Sequence, residues 1–185
     1  MSFGFPSHVQ SIQDAMARAI GRKKAITFFA AANNQGSNDD EMFPANIGDP
    51  VLSIRGTDAD GGFVRKFSPE RSSDERVFGT LGKDVCSDWI GPQYSHSMSG
   101  SSVATAIAVG VAAMLLEYAT RSNHFTQEEL RLMQTRRGVF ELFTEIGVLG
   151  GDERYYIAPF KLFNMDDEDR LAKMRSAIRR HPAKR

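Results

Sequence analysis

The stretch SGSSVATAIAVGVAAMLLEY, residues 99–118, decides the fold because it joins a small polar start to a long apolar run. From residue 101 onward, Ala, Val, Ile, Met and Leu occur around the whole helical circumference. A helix that is apolar on every side is normally a buried one. The sequence therefore predicts a buried helix over residues 101–118, with Ser102 where that helix begins.

The start of a buried helix is a favourable position for a nucleophilic serine. Free backbone N–H groups and the positive end of the helix dipole face any anion that forms beside the first residues. A serine nucleophile also needs a base to accept its proton and donors for the oxyanion. Taken alone, the pentapeptide GSSVA at residues 100–104 is more typical of a helix cap than of an active site.

Upstream of this helix, the pattern predicts a helix followed by apolar strands. Residues 8–22 carry apolar side chains at helical spacing. The run AITFFAAA, residues 25–32, is typical of a sheet strand covered on both faces. Residues 51–54 predict a second strand, and the polar residues 33–46 predict a loop between the strands at 25–32 and 51–54. Residues 63–67 predict a strand at the surface.

Downstream, the chain is predicted to be mainly helical. Thr126 and Glu129 fit a capping box at the start of a helix. Residues 139–146 predict further helical turns, and residues 155–157 a short strand. Residues 166–180 form a helix with acids first and bases last, which complements the helix dipole. Two i,i+4 ion pairs are expected in this helix, Asp166–Arg170 and Asp169–Lys173.

Five motifs occur in the order found in subtilisin-like serine proteases. GSSVA (residues 100–104) resembles the Gly-Thr-Ser-Met-Ala type motif that holds the family's nucleophile, which implies that role for Ser102. AANNQG (residues 31–36) resembles Ala-Ala-Gly-Asn-Glu-Gly, which implies that Asn34 donates into the oxyanion hole. The segments FPA (43–45), VLSI (51–54) and SFG (2–4) resemble the family's Tyr-Pro-Ala, Val-Ile-Ser-Val and Ser-Leu-Gly segments.

This resemblance covers residues 2–118 and implies an α/β fold, a parallel sheet flanked by helices, in an incomplete subtilisin-like form. Residues 1–120 would be the C-terminal part of the catalytic domain, and residues 121–185 a mainly helical extension. The implied reaction is hydrolysis of a peptide or protein substrate through an acyl-enzyme on Ser102. The implied substrate-binding residues are Ser2, Phe3, Gly4, Ala31, Ala32, Asn33 and Gly100.

The sequence departs from the family pattern at the acid and the base. No Asp-Thr-Gly and no Gly-Thr-His segment occurs in it, and the histidines are His8, His96, His124 and His181. His96 precedes Ser102 by six residues and is interpreted as an exposed loop residue. The chain alone is therefore expected to be nearly inactive. Two alternatives stay open: a non-catalytic pseudoprotease or regulatory peptide-binding module, and an upstream segment that supplies the Asp and the His.

The other departure is Asn33, which replaces the family's Gly before the oxyanion Asn. Asn tolerates a left-handed backbone better than other non-glycine residues, so the loop is expected to survive.

Composition excludes several other classes of function. Lys plus Arg and Asp plus Glu number 23 each, which favours neither nucleic acid nor an anionic membrane as partner. The apolar run at residues 104–116 is too short to span a bilayer, and no signal peptide is recognised, which weakly favours an intracellular protein. Residues 38–41 offer oxygen ligands for calcium, but such acids are more often solvated, so no metal or cofactor is predicted. The single cysteine, Cys86, is expected to be a half-buried structural thiol.

Overall fold

A five-stranded sheet with helices on both faces forms the centre of the protein. The computed structural model describes residues 1–21, 25–36, 38–69, 76–88, 95–150 and 154–180. Its strands are β1 (Phe28–Ala31), β2 (Val51–Thr57), β3 (Val77–Leu81), β4 (Val85–Asp88), β5 (Ser95–Met98), β6 (Gly147–Leu149) and β7 (Arg154–Ile157). The sheet order is β1-β2-β3-β7-β6, with the first four strands parallel and β6 antiparallel to β7. Strands β4 and β5 form a separate antiparallel pair.

Helices cover the two faces of this sheet unequally. They are α1 (Gln10–Ile20), α2 (Ser101–Ser122), α3 (Gln127–Met133), α4 (Arg136–Ile146), α5 (Phe160–Phe163) and α6 (Asp167–Arg179). Because side chains alternate along a strand, Phe29 and Leu52 point to the larger core, which α2, α4 and α6 complete. Phe28 and Val51 point to the opposite face, where they pack with α1. The predicted α/β class, with a parallel sheet flanked by helices, is confirmed.

The part of the chain after residue 120 contributes to the same core. Phe143 on α4, Ile157 on β7 and Met174 on α6 lie in one cluster with Leu52 and Leu115. The capping box at the start of α3 is present as predicted, with Thr126 and Glu129 exchanging hydrogen bonds. The two ion pairs expected in α6 are wrong: Arg170 pairs with Asp167, and Lys173 pairs with Glu145 on α4. The first of these pairs has i,i+3 spacing within α6, and the second joins α6 to α4.

The central helix α2 is buried on one side only. Ala104, Ala108 and Leu115 are fully or almost fully buried against the sheet. The opposite side is open, with Val109 42% and Met114 41% exposed. The prediction of a buried helix therefore holds for one side of α2 only. With 22 residues, α2 is long and apolar enough to cross a membrane by length and composition, although the apolar run at 104–116 alone is not. In this structure α2 packs on the sheet, as a core helix does.

Three other local expectations are corrected. Residues 63–67 do not form a strand: they include a 3-10 turn at Arg65–Phe67 and a single bridge from Phe63 to Thr57. Cys86 is exposed rather than half-buried, because it lies on β4 outside the main sheet. His96 is exposed as expected, but it lies on β5, opposite Ser87, rather than in a loop.

Candidate active site

The candidate site lies at the carboxyl ends of β1 and β2, where the first turn of α2 meets the sheet. The N–H of Gly100 donates to Gly82 O at 2.7 Å, and the N–H of Gly82 donates to Thr57 O, the last residue of β2, at 2.8 Å. Any Cβ on Gly82 would lie 2.8 Å from the Gly56 Cα atom, so only glycine permits this approach. In open α/β sheets, ligands bind at this end of the strands.

Asn34 is fixed against the first turn of α2 by its side-chain oxygen. Asn34 Oδ1 accepts hydrogen bonds from the backbone N–H and from the hydroxyl of Ser101, both at 2.8 Å. Because Oδ1 must be the acceptor of a backbone N–H, the amide nitrogen Nδ2 is left as a donor. A Cβ on Gly100 would lie 3.1 Å from that nitrogen, and Gly100 has φ of 150°. Glycine at position 100 therefore gives Asn34 its place beside Ser102.

Asn33 orders the loop through its side chain rather than through a left-handed backbone. Its φ is not positive, contrary to the expectation drawn from the family's glycine. Instead, the buried Asn33 Oδ1 accepts from the N–H groups of Asn34 and Gln35, at 2.6 and 3.0 Å. Its Nδ2 donates to Asp40 O at 2.9 Å, which closes the loop at its base. The side chain thus satisfies backbone groups that a glycine could not reach.

Ser102 is the second residue of α2, and its hydroxyl is bonded to the N-terminal segment. Ser102 Oγ donates to Ser2 O at 2.9 Å, and Ser2 Oγ donates to Ser102 O at 3.1 Å. The N-terminal segment in turn lies along β1, since the N–H of Ala31 donates to Met1 O at 3.0 Å. A carbonyl oxygen orients the Ser102 hydroxyl but cannot remove its proton.

A cavity of about 100 Å³ opens beside Ser102. Six residues predicted from the sequence line it: Phe3, Gly4, Ala31, Asn33, Asn34 and Ser102. Three further lining residues were not predicted: Gln35, Met42 and Ser101. Of the other predicted residues, Ser2 bonds to Ser102, Gly100 adjoins Asn34, and Ala32 does not face the cavity. Ala32 is fully buried, and its N–H and carbonyl bond to Ile54 O and Met42 N.

A buried ion pair lies next to this cavity and was also missed. Arg55 Nη2 donates to Glu41 Oε1 at 2.8 Å, with the two side chains 0% and 2% exposed. Ser53 Oγ donates to the same carboxylate oxygen at 2.6 Å, and Arg55 Nε donates to Pro69 O at 3.0 Å. A charged residue in the middle of the apolar strand VLSIRGT was the signal in the sequence that an acid had to lie opposite it.

No described histidine is bonded to Ser102. His8 Nε2 contacts Gln10 Oε1 at 3.3 Å, and its ring packs on Phe43 with 4.8 Å between centroids. His124 is exposed beyond the end of α2, and His96 lies on β5. His181 lies outside the described residues. In the part of the chain that the structure describes, the hydroxyl partner of Ser102 is therefore Ser2 O alone.

The acids considered for calcium do not assemble into a site. Glu41 is engaged in the buried pair with Arg55, while Asp39 and Asp40 are exposed. Among the described residues, no group of three or more His, Cys, Asp or Glu side chains could hold a metal ion.

Solved structures with the same architecture are proteases. The prenylagaramide maturation protease PagA matches with a TM-score of 0.65 at 19% identity, over 96% of this chain and 59% of that one. The patellamide maturation protease PatG matches with 0.63 at 12% identity, over 97% and 51%. The self-cleaved protease domain of PatA matches with 0.52 at 26% identity, over 71% and 48%. The chain thus spans less than two thirds of each of these proteins.

The sheet order and the helix that begins at Ser101 beside Asn34 define a subtilisin-like α/β fold. Curated protein sequences give no significant match. The model of the subtilase family, peptidase S8, matches residues 1–147, and the chain belongs to that family.

Proposed function

We propose that this chain carries the nucleophile and the oxyanion hole of a subtilisin-like serine endopeptidase, in which Ser102 forms an acyl-enzyme. The acid and the base would come from a further segment that contains an Asp-Thr-Gly and a Gly-Thr-His. The observation that carries this proposal is the pair of bonds from Ser101 to Asn34 Oδ1. They leave the amide of Asn34 as a donor next to the Ser102 hydroxyl, at the mouth of a cavity.

Two donors suit the developing oxyanion. The N–H of Ser102 belongs to the first turn of α2, where backbone N–H groups have no partner inside the helix. Asn34 Nδ2 is the second donor, and the dipole of the 22-residue helix adds to the same field. Donors fixed before the reaction stabilise the transition state without reorganising during it.

In the proposed reaction, Ser102 Oγ attacks the carbonyl carbon of a peptide bond and gives its proton to the imidazole of the further segment. The tetrahedral intermediate collapses as the C–N bond breaks and the imidazolium returns the proton to the leaving amine. Water then attacks the ester on Ser102 and gives a proton to the imidazole, and the imidazolium returns a proton to Ser102 Oγ as the ester C–O bond breaks. The products are a carboxylic acid, an amine and the free Ser102 hydroxyl.

Without that imidazole, the chain alone is expected to have almost no catalytic activity. Loss of triad members in this family costs roughly a millionfold in turnover, and the oxyanion hole and substrate binding retain ~10³–10⁴ over water. The bond from Ser102 Oγ to Ser2 O keeps the hydroxyl oriented but protonated.

A second candidate function is a non-catalytic module that binds peptides. It is favoured by the same bond, since the Ser102 hydroxyl already has an acceptor in Ser2 O and needs no base for that bond. Such a module would use the cavity and the loop at residues 33–36 without cleaving what it holds.

The deciding experiment compares the chain alone with a version that includes the residues encoded immediately upstream of Met1. Both are incubated with a fluorophosphonate probe and with casein, and the labelled residue is identified by mass spectrometry. We expect slow or no labelling of the chain alone, and fast labelling of Ser102 with casein cleavage in the extended chain. S102A should abolish labelling, while the matched change S99A, three residues earlier, should not.

The two candidate functions give different results. An extended chain that binds peptides but neither labels nor cleaves casein would favour the binding module. Rapid labelling of Ser102 in the chain alone would contradict the need for a further segment, because it would require a base within these 185 residues.

A further inference from the structure

We propose that Met42 restricts the cavity beside Ser102 to small apolar side chains, so that the preferred peptides carry Ala or Val, and not an aromatic residue, at the position that enters it. This inference rests on the proposed function, because it assumes that a peptide binds with its carbonyl at Ser102. It adds a substrate class and a residue that sets it.

Met42 forms one wall of the cavity by lying directly over Gly4. A Cβ on Gly4 would be 2.7 Å from Met42 Cβ and 3.0 Å from Met42 Sδ, so the thioether occupies the space of a side chain at position 4. Both residues line the cavity, together with Phe3 and Ala31. The wall that these four residues form is therefore apolar, and the Met42 side chain occupies space that a residue entering the cavity would otherwise use.

The backbone of Met42 is anchored on both sides, so that its side chain cannot leave with the loop. The N–H of Met42 donates to Ala32 O at 2.9 Å, and its carbonyl accepts from Asn46 N at 3.2 Å. The next residue, Phe43, exchanges two hydrogen bonds with Phe5, at 2.9 and 3.0 Å. Opening the cavity would require these bonds to break.

The preceding residue, Glu41, adds a stronger anchor. Its carboxylate is held by Arg55 and Ser53 on β2, and its side chain is 2% exposed. A buried carboxylate that left its cationic partner would leave an uncompensated charge in the core, which is strongly unfavourable. Glu41 and Arg55 are therefore positioning residues for Met42.

The size of the cavity sets the class of side chain. A cavity of roughly 150 Å³ with aliphatic walls is enough to hold benzene. The cavity beside Ser102 has about 100 Å³, which is too small for the ring of Phe and suits Ala or Val. A hydrophobic pocket distinguishes ligands by about 10–200-fold for each methylene that does or does not fit.

The test measures binding of two peptides to the full 185-residue chain. The ¹⁵N-labelled protein is titrated with N-acetyl-Ala-Ala-Ala and with N-acetyl-Ala-Ala-Phe, each with a free carboxylate, and the amide signals of Ser102 and Asn34 are followed by NMR. We expect the dissociation constant of the Phe peptide to be at least about tenfold higher than that of the Ala peptide. In M42A, the Phe peptide should gain affinity and this ratio should fall to about threefold or less.

The control is M114A, which removes the same side chain from the exposed side of α2, twelve residues beyond Ser102. It should keep the wild-type ratio. Because the expected effect of M42A is a gain in binding, a partly unfolded variant could not produce it. Equal affinities in the wild type, or an unchanged ratio in M42A, would overturn the inference while the peptide-binding site stands. If neither peptide binds to the wild type, both the inference and the proposed function are overturned.

Discussion

Asn34 Oδ1 lies 2.8 Å from the backbone nitrogen of Ser101 and 2.8 Å from its hydroxyl. These two bonds join the loop after β1 to the first turn of α2, across 67 residues of sequence. Because Oδ1 accepts from Ser101, the amide nitrogen Nδ2 is the end of Asn34 that is left as a donor. In the proposed function, this orientation would give Ser102 its second oxyanion donor.

This relationship predicts the effect of N34D. Asp keeps the acceptor for Ser101, so the free energy of unfolding should change little. It replaces the Nδ2 donor with a charged oxygen, which repels an oxyanion. In the extended chain, we expect fluorophosphonate labelling of Ser102 to slow by at least about 10²–10³, the cost of removing this donor in subtilisin. An unchanged rate would show that Asn34 does not face the oxyanion.

The buried pair of Arg55 and Glu41 predicts a large loss of stability in R55M. The change leaves the carboxylate of Glu41 buried without its cation, which should cost about 3–5 kcal/mol in urea unfolding. The double change E41M/R55M should recover most of that loss, since two apolar side chains then replace two charges. R121A, which breaks the exposed pair with Glu117, should cost about 0.3–0.5 kcal/mol. Similar losses for R55M and R121A would contradict the prediction.

Two glycines of the α2 region should respond in opposite directions to alanine. Gly100 has φ of 150° and adjoins Asn34 Nδ2, so G100A should destabilise the chain by about 1–3 kcal/mol. Gly110 lies within α2 with no atom within 4 Å of an added Cβ, so G110A should stabilise it by about 0.5–1 kcal/mol. Urea unfolding of both variants measures the difference, and a stable G100A would refute the role of Gly100.

Glu129 should make stability depend on pH at acid values. The Thr126 N–H that bonds to its carboxylate, together with Arg175, holds the pKa of Glu129 below its ordinary value of 4.5. A lowered pKa in the folded state stabilises the protein above the unfolded value, and this contribution is lost as the pH falls through the folded value. E129Q should therefore lose stability at pH 6 and show a flatter decline below pH ~4.5 than the wild type.

The control for E129Q is E128Q, which removes the same charge from the exposed neighbour in the first turn of α3. Thermal unfolding of the three proteins between pH 3 and 6 compares them. Parallel curves for E129Q and the wild type would show that the capping carboxylate does not contribute.

The open side of α2 predicts self-association of the isolated chain. Val109 and Met114 are 42% and 41% exposed on an otherwise apolar side, and such patches favour association. V109K/M114K should shift size-exclusion profiles toward the monomer without loss of stability. The pair Q127K/Q134K adds equal charge at exposed positions of another region and should not. A wild-type chain that is monomeric at high concentration would contradict this prediction.

The sequence by itself determined the features that depend on local patterns. The small residues at 99–102 and the apolar run after them fixed the start of α2, and the exchange between Thr126 and Glu129 fixed the start of α3, because caps and periodicity act over a few residues. The apolar runs predicted β1 and the first part of β2. The order of five motifs indicated the family and the positions of Ser102 and Asn34.

Only the tertiary structure decided the features that depend on distant partners. The central strand β3 was not predicted, because Gly79 interrupts its short apolar pattern. In the folded protein, the absence of a side chain at Gly79 leaves room for the ring of Phe63. Arg55 is a charged residue within an apolar strand, and only the fold shows that Glu41 lies opposite it as its ion-pair partner. The open side of α2 carries apolar residues such as Val109 and Met114, as its buried side carries Ala108 and Leu115, because burial depends on what packs against a helix and not on the helix alone.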